Sequence, residues 1–118
     1  MVVTPEGAAR ALVARAAGEQ AALAARAANV RRRLPDVVRL LRQRFGAGRV
    51  ILFGSLAWGG FHARSDTDLA VEGLPLAELG DAMAAASAAA GAVVEVFDLA
   101  SLPPAFRQRV ISEGEDLP

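Results

Sequence analysis

The sequence predicts an α/β (α+β) protein: a small mixed β-sheet of about three strands packed with helices. Three observations carry that prediction. Val50–Phe53 is an apolar run of strand length, Leu69–Val71 continues a second strand from Asp66, and residues 93–97 make a third. Between and around them lie segments with apolar residues every three or four positions. Gly and Pro mark the joints, as Gly46, Gly54, Gly91 and Gly114 after apolar segments and Pro5, Pro35 and Pro103–Pro104 before helical ones.

Thr4-Pro5-Glu6 is a helix start, with Thr as cap, Pro at the first helical position and an acid in the first turn. Ala-rich sequence runs on to about Arg33, carrying a thin stripe of Leu12, Val13, Ala16, Leu23, Ala27, Val30 and Leu34. Such a stripe suits packing against another helix, in this chain or in a second copy. Pro35 is expected to break this helix and start another, so that residues 1–34 form a helical extension and residues 35–118 the main domain. In the second helix Leu34, Val38, Leu41 and Phe45, widened by Val37 and Leu40, face a sheet, Arg39, Arg42 and Arg44 face water, and Gly46 is the stop.

After the first strand, Gly54-Ser55 opens a Gly-rich loop that ends at Asp66-Thr67-Asp68. Residues two apart in a strand point to one face, roughly 7 Å apart, so the two carboxylates project side by side. Like charges so placed repel, and burying them without a cation is costly. A Gly-Ser turn exposes backbone N–H groups and a hydroxyl suited to phosphate oxygens. Phosphate donors opposite a two-carboxylate metal site are the parts of a phosphoryl or nucleotidyl transfer centre.

A helix over residues 75–90, with Leu76, Leu79 and Met83 inward, joins the second strand to the third. That strand–helix–strand unit makes strands two and three parallel, while the short first link makes strands one and two antiparallel. A last helix spans Pro104–Glu113, burying Phe106 and Val110. Glu95 and Asp98 differ by three, so only one of them can join the Asp pair.

Phe53-Gly54-Ser55, ten residues, then Asp66-Thr67-Asp68-Leu69 resembles the DNA polymerase beta-like nucleotidyltransferase superfamily, and within it the minimal nucleotidyltransferases often encoded beside a HEPN-domain toxin. Ala57, Gly59, Ser65 and Leu69 also fall where that family has them, and the resemblance covers about residues 35–118. It implies Asp66, Asp68 and Glu95 as catalytic and metal-binding acids, with Glu95 in the third-acid position of Val94-Glu95-Val96-Phe97-Asp98-Leu99. It implies Gly54 and Ser55, with the Asp pair, as the nucleotide site, two Mg²⁺ ions (or Mn²⁺) as cofactors, and ATP or another NTP as donor. The reaction implied is transfer of a nucleoside monophosphate, AMP from ATP, to a hydroxyl such as a tyrosine of a HEPN-type toxin.

Two departures bear on this. Leu56 and Trp58 stand where minimal members carry arginines, and Glu95 adds a methylene to the third acid. A binding antitoxin or regulatory subunit with weak or lost catalysis is therefore the alternative. Trp58 could stack a base; His62, the one histidine, and Arg64 lie in the same loop.

At 118 residues the chain makes one domain, and 27 alanines keep its core modest. Without cysteine, disulfide and Cys-zinc frameworks are excluded. No signal pattern opens the chain and no apolar tract is long enough to span a bilayer, so a cytoplasmic setting without membrane attachment is expected. Residues 1–49 hold ten Arg against three acids, a net +7, whereas residues 50–118 hold three Arg against ten acids, a net −7. The basic half could meet an acidic partner or a nucleic acid, the latter ranked behind a HEPN-type partner or self-association through the first helix, since no aromatic residue interleaves the arginines before Phe45.

Overall fold

The computed structural model describes residues 4–118. Its first element, α1, runs from Pro5 to Phe45. The Thr4 hydroxyl accepts the Gly7 amide at 3.0 Å, and Gly46, at φ 71°, donates back to the Arg42 and Leu41 carbonyls. The expected break at Pro35 does not occur. Pro35 cannot donate to the Arg31 carbonyl, which costs up to about 3 kcal/mol in a helix interior. The stripe of Val30, Leu34, Val37, Val38 and Leu41 nevertheless passes through in phase and is fully buried. Each such side chain gains about 1.5–3 kcal/mol by burial, so packing outweighs the proline.

The sheet has the order β3-β2-β1-β4. Strands β1 (Val50–Phe53) and β2 (Thr67–Val71) are antiparallel, and β3 (Val94–Asp98) is parallel to β2. The fourth strand, β4 (Glu115–Leu117), pairs antiparallel with β1 and was not expected. It is short and acidic, with no apolar alternation, and salt bridges help hold it in place: Arg49 to Asp116 at 2.6 Å and Arg31 to Glu115 at 3.0 Å. Gly114 makes the turn into it, because a Cβ there would run into the Val110 carbonyl and the Ile51 methyl.

Each sheet face has its own cover. On one, Val50, Leu52, Leu69, Val71, Val94 and Val96 pack with α1 and with α3 (Leu79–Ala90). In α3 the buried positions are Ala82, Ala86 and Ala90, four apart. Leu76, expected to face inward, lies in a preceding 3₁₀ turn and is 63% exposed, while Leu79 and Met83 sit at the margin. Alanines on the contact face let the helix lie close to α1 and the sheet; larger side chains there would hold it off. The other face carries Ile51, Phe53 and Ala70 and is covered in part by Val110 of α4 (Pro104–Glu113). Phe53 meets Phe97 and Phe106 there at centroid distances of 5.5 and 5.6 Å.

The N-terminal part of α1 leaves this body. Residues 9–22 are exposed throughout, Leu12 by 62% and Val13 by 69%, and the long axis of the protein reaches 62 Å. No helix among the described residues is long and apolar enough to cross a membrane.

Candidate active site

The segment between β1 and β2 begins with one helical turn, α2 (Ser55–Trp58), where the sequence suggested loop throughout. Gly54 sets it up. Its φ of 77° and ψ of −157° are open only to glycine without strain. A Cβ at Gly54 would also collide with the Asp68 carboxylate, whose Cγ lies 3.2 Å from where that Cβ would stand. The Gly-Ser turn and the second Asp are therefore in direct apposition. The hydrogen bonds of this turn start with Ala57 and Trp58, both donating to the Gly54 carbonyl, and the opening amides of a helix have no acceptor within it.

The strand register sets two of the acids side by side. Asp68 stands opposite Phe53 on β1 and Glu95 on β3. Its side chain shares the α4 face with those of Phe53, Ala70, Glu95 and Phe97, because residues two apart share a face. Asp98, three residues on from Glu95, falls to the opposite parity and accepts a hydrogen bond from Ser101 at 2.6 Å. Asp66 lies just before β2 rather than in it and is half-buried. Burial, the charges of Glu95 and Asp66, and a hydrogen bond with Glu95 push the Asp68 carboxyl up to about 6.

Among the described residues no three His, Cys, Asp or Glu side chains are gathered tightly enough to hold one ion as they stand. The donor chemistry, carboxylate oxygen only, fits Mg²⁺ or Mn²⁺ and does not fit soft metals.

The rest of the loop is not free. Leu56 turns into the core and is 8% exposed. The Trp58 indole donates to the Glu113 carbonyl at 2.9 Å and carries the Arg109 guanidinium on its face at 4.1 Å. It is a packing residue for α4 rather than an open platform for a base. His62 accepts the Arg64 amide on Nδ1 and is exposed. Ser65 is buried, and its hydroxyl accepts the His62 amide.

Two α1 arginines that sequence reasoning passed over meet this segment. Arg26 donates to the Ala63 and Ser65 carbonyls, and Arg31 donates to the Leu56 carbonyl and to Glu115. Their only signal in the sequence was the Arg-rich composition, since the acceptors lie 25 to 84 residues away. Six of the ten arginines before Val50 (Arg26, Arg31, Arg32, Arg39, Arg42 and Arg49) donate to groups of this chain, so much of the basic half holds the fold together.

No protein-family model and no curated protein matches the chain. Solved structures do. One described as a minimal nucleotidyltransferase is 30% identical, with a TM-score of 0.67 over 77% of this chain and 95% of that one. A toxin–antitoxin structure with AMP-PNP is 27% identical, with a TM-score of 0.60 over 68% of each chain. A mutant of the toxin–antitoxin pair MntA–HpeT is 26% identical, also at 0.60, over 70% of this chain and 69% of that one. A Gly-Ser turn set against a strand-borne carboxylate pair, on a mixed sheet that superimposes along nearly the whole of such a relative, places this chain in the minimal nucleotidyltransferase family.

Proposed function

We propose that the protein is a metal-dependent nucleotidyltransferase that moves AMP from ATP to a hydroxyl of a partner protein. The observation that carries this reading is the half-buried Asp68 carboxyl, opposite Glu95 on the neighbouring strand and directly against Gly54. Asp66, Asp68 and Glu95 are the residues that would hold Mg²⁺, which when bound supplies charge neutralisation at the phosphates and acidifies an acceptor hydroxyl. Ser55 and the opening amides of α2 bind the β- and γ-phosphates. The acceptor oxygen attacks the α-phosphorus in line, the bond to the β-phosphate oxygen breaks, and pyrophosphate leaves. The acceptor proton passes to the carboxylate cluster. The described residues form one sheet with its covering helices, and a partner supplies the other wall of the cleft. The toxin–antitoxin relatives support a protein partner, and a tyrosine of a HEPN-type toxin is the acceptor we favour.

The test is incubation with α-labelled ATP, Mg²⁺ and candidate partners. Label transferred by the wild type and not by Asp68→Asn supports the transferase. A second reading, a binding antitoxin without catalysis, draws on Leu56 and Trp58: the one is buried and the other tied to Glu113, so neither supplies charge to a triphosphate. Tight partner binding that is equal in wild type and Asp68→Asn, with no heat on mixing with Mg²⁺-ATP, would select it.

A further inference from the structure

The long helix does more at the site than cover the sheet. The segment from Ser55 to Asp66 joins the phosphate-binding turn to the first carboxylate, and it contains Gly59 and Gly60, at φ 94° and 83°. Its inner hydrogen bonds are local: Gly59 to Ser55, Ser65 to His62, the His62 amide to the Ser65 hydroxyl, and Arg64 to the His62 ring. Among the described residues, the hydrogen bonds that tie residues 60–65 to another element all come from Arg26. One of its nitrogens donates to the Ala63 carbonyl at 2.7 Å and another to the Ser65 carbonyl at 3.2 Å, and its guanidinium lies 5.5 Å from the Phe61 ring centroid. Just over one turn further along the helix, Arg31 donates to the Leu56 carbonyl at 3.0 Å. The two arginines thus grip the residue after Ser55 and the residue before Asp66.

We propose that α1 is a splint for the active site, with Arg26 and Arg31 as positioning residues that fix the Gly54–Ser55 turn relative to Asp66 and Asp68. A guanidinium is suited to this, because its planar fork serves two carbonyls two residues apart while its face lies against an aromatic ring; an ammonium offers a single point charge. The need is physical. Two groups that must act on one triphosphate are joined by a glycine-containing loop, and a misplacement of about 1 Å can cost a hundredfold in rate. The part of α1 ahead of residue 35, which the sequence set apart as an extension, is then part of the catalytic frame. This inference rests on the transferase reading for its consequence in rate, though not for its geometry.

The experiment compares full-length wild type with Arg26→Gln, Arg26→Lys and the control Arg15→Gln, an exposed change on the same helix. Amide hydrogen exchange is followed over residues 59–66, together with kcat and KM for AMP transfer. In Arg26→Gln, exchange over 59–66 should rise about tenfold or more while β1, β2 and α3 stay as in wild type, and kcat should fall roughly 10- to 100-fold with KM for ATP within about threefold. Arg26→Lys should lie between, and Arg15→Gln should match wild type. Unchanged exchange over 59–66 in Arg26→Gln overturns the splint. So does a rise spread evenly over the sheet, which would mean general loss of stability; should Arg26→Gln fail to fold, Arg26→Lys is read by the same two criteria. A wild type that neither binds Mg²⁺-ATP nor transfers AMP refutes the transferase instead, and the exchange comparison still decides the geometry.

Discussion

Asp68 stands opposite Glu95 across the parallel β2–β3 pair, and burial, with Glu95 and Asp66 beside it, raises its carboxyl from 3.8 to about 6. The sign of the consequence is fixed. Below pH 3.8 the Asp68 carboxyl is neutral folded or unfolded, and the fold has its full advantage. Between 3.8 and about 6 the unfolded chain ionises first, so this group's contribution to stability is lost as pH rises. Asp116, held low by Arg49, acts in the opposite sense at more acid pH. Urea midpoints for the metal-free wild type and Asp68→Asn should therefore converge near pH 4 and separate toward neutrality, with the variant the more stable.

That separation sets a trade of stability against activity. Asn keeps the shape of Asp68 and removes the repulsion. At neutral pH Asp68→Asn should unfold later; solvent screening at this half-exposed site limits the gain to about 1 kcal/mol. The same change should abolish AMP transfer, by about a thousandfold or more, because it removes a charge that opposes a cation. Thermal melts beside the label-transfer assay check both halves, and a variant that is less stable and inactive would contradict the proposed origin of the raised pKa.

Binding of Mg²⁺ requires the ionised Asp68 carboxylate, so it should weaken as pH falls through about 6 and release a proton there. Calorimetry of Mg²⁺-ATP in two buffers of different ionisation enthalpy reads this directly. Affinity that is flat from about pH 5 to 8 would exclude Asp68 as a ligand.

Gly54→Ala should strain the backbone and push the Asp68 carboxylate aside, since the new Cβ has no room beside it. A loss of about 1–3 kcal/mol in unfolding free energy is expected, along with loss of Mg²⁺-ATP binding. A denaturant titration and a binding isotherm on the same sample test it. Gly59→Ala, at a similar φ with nothing within 4 Å, carries only the strain and should keep binding.

Pro35 sits exposed in a continuous helix. Pro35→Ala gives the Arg31 carbonyl a donor again, so the folded state should gain about 1–2 kcal/mol after the entropy returned to the unfolded chain is subtracted. A lower melting temperature would mean that the proline sets a bend which the packing of α1 requires.

The sequence by itself determined the elements whose causes are local. Thr4-Pro5 and Gly46 end a helix through their own hydrogen bonds and dihedrals. Val50–Phe53 is a strand because it is apolar throughout, and the spacing from Gly54-Ser55 to Asp66-x-Asp68 is a property of the chain alone. Parity allowed only one of Glu95 and Asp98 beside the Asp pair, the resemblance pointed to Glu95, and the register sets Glu95 opposite Asp68. Only the tertiary structure decided the rest. Pro35 stayed helical because a buried stripe on both sides outweighs one missing hydrogen bond. Glu115–Leu117 became a strand because an open edge of β1 and two arginines were waiting for it, neither of which is near it in sequence. Trp58 was fixed by Glu113 and Arg109, and Ser65 by Arg26, through contacts that span 39 to 55 residues. Hydrogen bonds over such separations depend on how helices lie against a sheet, and no spacing along the chain encodes that.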